Sequence, residues 1–291
     1  MSLEKNNQYL LEKKRKEMDF LHHFHLLGYD LLDLSLLEEF EWDRLSEDDL
    51  KMMKSRHTWQ TGHSLLSLRS DWTDAIVRYR KKYKLKTDKI AYSGPVFPMD
   101  KEKMQFGMEI FTEDIGKQID TMKELIQYIK ENMALSLNVA VISHYSLLKK
   151  LLSENERQEP EIMRYLDERN LDGLTERLGD SHPVVRLMSQ PVPEQLDYAK
   201  AHYPDLRKPV EEIKRWQDQL QKNSIPVVYC DLFSIPPQSY YKGIFLQFYT
   251  DHAVEPVVTG GQYSSPTRAF GMAINLSSLS LMKNIERGKF L

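Results

Sequence analysis

Residues 89–133 read KIAYSGPVFPMDKEKMQFGMEIFTEDIGKQIDTMKELIQYIKENM, and the order of patterns inside this stretch decides the fold. Lys89 to Phe97 and Gln105 to Thr112 are strand-like runs joined by a polar loop, Pro98 to Lys103. Residues 113–133 then switch to helical spacing, with Ile115, Ile119, Met122, Leu125, Ile126 and Ile129 on one face. Adjacent strands followed by a helix, without strict strand–helix alternation, point to an α+β fold around a mainly antiparallel sheet flanked by helices.

The flanks extend the same reading. Residues 4–27 carry Phe20, Phe24 and Leu27 at helical spacing, and Gly28 is placed to cap that helix. Tyr29 to Leu37 is short and leucine-dense and reads as a buried strand. His57 to Thr61 and Leu65 to Arg69 flank Gly62, His63 and Ser64, a hairpin signal. Helical spacing returns at Trp72, Ile76 and Tyr79. Toward the C-terminus, Leu137 to Ser143, Ile225 to Leu232, Ile244 to Thr250 and Val254 to Thr259 read as strands. Tyr145 to Leu152 and residues 209–222 read as helices, Gly260–Gly261 as a tight turn, and Ala269 to Leu281 as a last apolar stretch. Residues 153–208, punctuated by Gly173, Gly179, Pro183, Pro191 and Pro193, read as a helical insertion between two parts of one core, 1–152 and 209–291.

Composition narrows the function. Among 291 residues, Lys plus Arg is 40 and Asp plus Glu is 43, a formal charge of −3, which argues against a dedicated nucleic-acid binder. The basic runs Lys13 to Lys16 and Arg80 to Lys86 read as solvated helix faces, given the balancing acids. No apolar run reaches the roughly 18 residues that span a bilayer, and the charged start is no signal peptide, so no membrane and a cytoplasmic location are expected. Cys230 is the one cysteine; it lies in an apolar strand and reads as an inert buried thiol, not a nucleophile. His22 and His25 are three apart on a helix without acidic or cysteine partners at useful spacing, and no metal is expected there.

Several fragments in fixed order resemble one family, the class II core of histidyl-tRNA synthetase and its paralogue, the regulatory subunit of ATP phosphoribosyltransferase. Gly28-Tyr29 through Glu38 resembles the first class II motif, with Ser35 where the family has proline. Leu68-Arg69-Ser70-Asp71-Trp72-Thr73 resembles the Leu-Arg-Pro-Asp/Glu-x-Thr block. Tyr92-Ser93-Gly94-Pro95-Val96-Phe97 and Gln105-Phe106-Gly107-Met108-Glu109 resemble the two strands of the second motif. Asp231-Leu232 with Tyr240-Tyr241-Lys242-Gly243, then Gly260-Gly261-Gln262-Tyr263, then Phe270-Gly271, resemble the remaining blocks; together the fragments cover roughly residues 10–282.

The resemblance implies a histidine-binding set: Asp71, Thr73, Gln105, Glu109, Tyr240 and Tyr241. An ammonium group needs anionic and carbonyl acceptors, which Asp71, Gln105 and Glu109 supply, while the tyrosine tips suit an imidazole. Two readings stay open at this point: a working ligand site, or inherited groups that now satisfy one another. Adenylation demands arginines on the crowded phosphate charge. At the three positions where the family carries them, this chain has Pro98, Pro236 and Ser278. Nor is the family's anticodon-binding domain expected past the third motif. The resemblance therefore implies a non-catalytic regulatory subunit that works with a short-form catalytic subunit in the first step of histidine biosynthesis. It implies L-histidine as feedback effector, a homodimer inside a hetero-oligomer, and no cofactor. The alternatives are a divergent amino-acid-activating enzyme and a free-standing histidine sensor.

Overall fold

The computed structural model describes residues 3–41, 53, 56–98, 101–234, 240–251, 253–265 and 267–276. The chain divides into two compact units, Met1–Gln118 with Ser265–Leu291, and Ile119–Ser264.

The first unit begins with α1 (Leu3–Leu26). Phe20 and Phe24 are fully buried, and the Phe20 ring lies 5.2 Å from that of Phe106. Gly28 ends the helix in the left-handed region at φ 83°, as its lack of a Cβ allows. Four strands form one sheet in the order β1 (Asp30–Leu31), β5 (Lys89–Val96), β6 (Lys103–Ile110) and β11 (Thr267–Asn275). β1 pairs parallel to β5; the β5–β6 and β6–β11 pairs are antiparallel. A second sheet has the order β2 (Leu37–Glu41), β4 (Ser64–Leu68), β3 (Thr58–Thr61), all antiparallel. β3 and β4 are the expected hairpin, turned at Gly62 with φ 59°. α2 (Trp72–Tyr83) follows and buries Trp72, Ala75 and Ile76.

The leucine-dense stretch departs from its reading as a buried strand. Only Asp30 and Leu31 pair with β5, and the chain then leaves for the second sheet. A strand is buried only when both faces are covered, and here Leu31, Leu36 and Leu37 remain 47, 42 and 44 % exposed.

The boundary between the units falls inside α3 (Ile115–Asn132), whose predicted apolar face buries Ile119, Met122, Leu125, Ile126 and Ile129. The second unit's strands have the order β10 (Val258–Ser265), β9 (Tyr241–Tyr249), β7 (Val139–His144), β8 (Val227–Cys230). The β10–β9 and β9–β7 pairs are antiparallel and β7–β8 is parallel. Six helices run between β7 and the long α10 (Arg207–Lys222): α4 (Tyr145–Leu151), α5 (Glu154–Gln158), α6 (Pro160–Asp167), α7 (Leu171–Leu178), α8 (Pro183–Met188) and α9 (Gln195–His202).

Two expectations are corrected here. The strand placed at Val254 to Thr259 begins only at Val258, and Val254 is 97 % exposed. Gly260 and Gly261 form no turn; they lie inside β10, opposite Leu246 and Phe245 of β9. Their physical reason is proximity. A Cβ on Gly261 would collide with the Ile244 carbonyl oxygen and come within 3.0 Å of Phe245 Cα, so the strands close up only over glycine. The apolar stretch from Ala269 is β11 as far as Asn275, and its part beyond residue 276 lies outside the described residues.

Candidate functional site

Four of the six residues expected at a ligand site lie in the first unit, placed by α2, β6 and their neighbours. Asp71 is the N-cap of α2: its backbone is extended, and its carboxylate accepts from the Asp74 amide at 2.9 Å. That bond satisfies one of the orphan donors at the helix start. Thr73, two residues on, donates its hydroxyl to Glu109 Oε1 at 2.7 Å. Glu109 sits on β6, wholly buried, and Tyr92 of β5 donates to the same oxygen at 3.4 Å. Opposite Glu109 on β11 stands Gly271. A side chain there would occupy the space of the carboxylate, so glycine provides the slot in which Glu109 lies. Gln105, at the other end of the pair, donates to Asn275 Oδ1 at 3.0 Å across β6 and β11.

A stack of three flat groups backs this cluster. The Arg69 guanidinium lies 3.5 Å from the centre of the Trp72 ring, and Trp72 stacks on Tyr92 at 4.6 Å. Trp72 Nε1 donates to the Gly94 carbonyl at 3.3 Å. Gly94 has φ +153°, and a Cβ there would come within 2.8 Å of the indole. Arg69 is 1 % exposed and is held by the carbonyls of Leu34 (2.8 Å) and Pro95 (2.9 Å). Burial, only partly offset by Glu38, Asp33 and Tyr92, pulls its pKa down to about 10. The stack fixes the Tyr92 hydroxyl over Glu109, a role that its fragment of sequence did not signal.

Pro98, one of the three positions where the resemblance leads one to expect an arginine, forms an isolated antiparallel bridge with Arg56. An arginine backbone therefore does stand beside the position. Its guanidinium, however, points elsewhere. Arg56 Nη1 donates to Glu38 at 2.7 Å and its Nη2 pairs with Asp74, while Arg78 pairs with the same two acids. Both guanidinium groups also lie near the Phe40 ring, at 5.5 and 4.8 Å from its centre. This square of two acids and two arginines pins β2 to α2. Burial pulls the Arg78 pKa down, but the charges of Asp74 and Glu38 and the hydrogen bonds to both together raise it above its ordinary value. Asp74 and Arg78 are an ordinary i,i+4 helical pair, but sequence reading missed the square because its other three pairs lie 18 to 40 residues apart. Pro236 and Ser278 lie outside the described residues.

The other two candidates belong to the second unit. Tyr241 opens β9 opposite Tyr263 of β10 and is 7 % exposed; Tyr240 is half-buried. The Tyr240 ring lies 4.8 Å from Tyr241 and 6.0 Å from Tyr263, and Tyr241 meets Phe245 edge-on at 4.8 Å. Such clustered rings cover one another's apolar bodies. Cys230 is half-buried and burial pushes its thiol up to about 12, in keeping with an inert group.

Residues 9–282 match the family model described as histidyl-tRNA synthetase. The ATP phosphoribosyltransferase regulatory subunit of Staphylococcus aureus (strain Newman) is 31 % identical over 271 residues, 93 % of this chain and 99 % of that one. The chain belongs to the ATP phosphoribosyltransferase regulatory-subunit family. Its backbone also superposes on an ATP phosphoribosyltransferase regulatory subunit/histidyl-tRNA synthetase from Bacillus halodurans C, with TM-score 0.72 and 19 % identity over 92 % of this chain and 78 % of that one. A chain of the ATP phosphoribosyl transferase (HisG:HisZ) complex from Thermotoga maritima gives TM-score 0.65 at 18 % identity, covering 90 % of this chain and 96 % of that one. These likenesses establish the class II synthetase-like α+β fold. Within the regulatory-subunit family, an arginine committed to Glu38 and Asp74, beside a proline at the second-motif position, fits a regulatory role better than a catalytic one. No helix among the described residues is long and apolar enough to cross a membrane.

Proposed function

We propose that this chain is the regulatory partner of a short-form ATP phosphoribosyltransferase catalytic subunit in the cytoplasm, serving the first step of histidine biosynthesis and passing on feedback inhibition by L-histidine. The reading rests on one observation above the rest: a wholly buried carboxylate, Glu109, held in place by Thr73 and Tyr92 over a glycine slot. A carboxyl group in this place offers oxygen acceptors of the kind an ammonium needs. Asp71 and Gln105 supply further acceptors in the same unit. Asp71 accepts from the Asp74 amide, and the Gln105 side-chain amide donates to Asn275 while its oxygen is an acceptor. Tyr240 and Tyr241 are proposed, from the resemblance, to favour an imidazole.

Feedback requires that histidine bind the inhibited and active assemblies with different affinity, typically by about 1–3 kcal/mol. Self-association is supported by the second sheet of the first unit. The strand register puts Leu37 beside Leu68 and both Trp59 and Glu39 beside Leu66 on one face, and Leu37 and Trp59 are 44 and 42 % exposed. Exposed large apolar side chains grouped in this way suit an interaction surface. We read residues 153–208 as an insertion into a core made of 1–152 and 209–291.

The deciding experiment mixes this chain with a short-form phosphoribosyltransferase and follows turnover with and without histidine. The expected result is turnover that depends on this chain and falls when histidine is added, with Glu109→Gln blunting the histidine response. Histidine-dependent ATP–pyrophosphate exchange by the chain alone would refute the reading.

A further inference from the structure

A serine, a histidine and a glutamate of the second unit stand in line at the end of β7. His144 is the last residue of β7 and the N-cap of α4; its side chain is 6 % exposed. Ser146 Oγ lies 2.9 Å from His144 Nδ1. On the other side of the ring, His144 Nε2 lies 3.5 Å from Glu212 Oε2 of α10, a carboxylate 10 % exposed. The Ser146 backbone N–H also points at Nδ1, at 3.2 Å. An amide N–H can only donate, so Nδ1 must be the bare, accepting nitrogen and Nε2 must carry the proton that faces Glu212. With Nδ1 bare, the Ser146 hydroxyl can only donate to it. The arrangement therefore has a definite direction: hydroxyl proton toward imidazole, imidazole N–H toward carboxylate.

The same chain contains a comparison that separates capping from chemistry. His182 caps α8 in the same manner, its Nδ1 accepting from the Val184 amide at 3.2 Å and its Nε2 lying 3.4 Å from Glu156. There the residue two positions on is valine. A histidine cap backed by a glutamate thus needs only the backbone N–H, and the hydroxyl at 146 is additional to it.

We propose that Ser146 is a nucleophile that accepts an acyl group from activated esters, with His144 as its general base and Glu212 as a positioning residue. In the step, Ser146 Oγ attacks the ester carbonyl carbon as its proton passes to His144 Nδ1. A new C–O bond forms to serine, the bond to the leaving alkoxide breaks, and that alkoxide takes the proton from His144 as the alcohol. Glu212 holds the ring and offsets the transient imidazolium charge. Ser146 is half-buried.

The test treats the full chain with a fluorophosphonate, in which serine oxygen replaces fluoride on phosphorus, and with p-nitrophenyl acetate. The expected result is one adduct mapped to Ser146 by peptide mass spectrometry, and a stoichiometric burst of nitrophenolate. Ser146→Ala removes both. His144→Asn keeps a side-chain acceptor at the cap and slows labelling by about a hundredfold or more, the usual contribution of a general base. Glu212→Gln slows labelling about tenfold and Glu212→Asp restores it, which a merely structural acid would not do. No adduct on Ser146, or an unchanged labelling rate in a folded His144→Asn, overturns the proposal.

Discussion

Gly271→Ala probes the Glu109 pocket without removing any polar group. The added methyl collides with Glu109 Oε2 and lies 2.6 Å from Oε1, where 3.4–4 Å is ordinary contact. Gly271 is not in the left-handed region, so alanine meets no backbone penalty and the whole effect comes from the collision. β11 is paired in register to β6 from Phe270 to Asn275 and has little freedom to retreat, so the carboxylate must move. Moving it breaks the 2.7 Å bond from Thr73, a hydrogen bond to a charged group contributing about 1.5–3 kcal/mol. Overpacking adds about 1–3 kcal/mol. A loss of about 2.5–6 kcal/mol is expected, or about 1.25 M or more in urea midpoint at a slope near 2 kcal/mol/M. Urea unfolding followed by fluorescence measures it, and calorimetry should find histidine binding lost in the same variant. The double-mutant cycle is more pointed. Glu109→Ala removes the obstructing group, so Gly271→Ala should cost much less in that background, with a coupling above about 1 kcal/mol. Additivity within about 0.5 kcal/mol would refute the pocket geometry and with it the proposed ammonium site.

Arg56→Met should destabilise the first unit by about 3–5 kcal/mol, because it leaves the buried Glu38 and Asp74 sharing one guanidinium; Arg78→Met, 30 % exposed, should cost less, and thermal unfolding ranks the two. Gly261→Ala should lower the melting temperature more than Gly62→Ala, since backbone atoms obstruct the first, whereas only a left-handed φ opposes the second. Cys230 should react with iodoacetamide at pH 8 about a thousandfold more slowly than an ordinary thiol, because its pKa is raised from 9 to about 12. Since the folded state favours the protonated thiol, that stabilisation is fully present below about pH 9 and is lost as pH rises toward 12; denaturant midpoints across this range check the sign. Glu156, held below the usual carboxylate range by Ser153 and then by His182, works in the opposite sense, and Glu156→Gln should flatten the loss of stability as pH falls through the carboxylate range.

The candidate site was partly legible before any coordinates. Asp71, Thr73, Gln105 and Glu109 were named from block order, and α2, β6 and β11 account for their placement. What the motifs could not convey was how these groups satisfy one another. Thr73 reads as a ligand contact, yet its hydroxyl is bonded to Glu109; Asp71 reads as an acceptor for an ammonium, yet it also starts a helix. Tyr92 and Arg56 were missed because a tyrosine in a strand and an arginine in a loop have no distinctive spacing.

Sequence alone determined the local elements whose physics is local: the hairpin at Gly62, the end of α1 at Gly28, and the apolar face of α3, of whose six residues all but the half-buried Ile115 are buried. Periodicity and turn chemistry act over a few residues, so they survive in one dimension. Only tertiary structure decided that the leucines at 31, 36 and 37 face outward, that Gly260 and Gly261 lie between strands and form no turn, and that Arg56 answers Glu38 and Asp74. Burial, close backbone approach and ion pairing depend on what the rest of the chain brings alongside, and no window of sequence contains that partner.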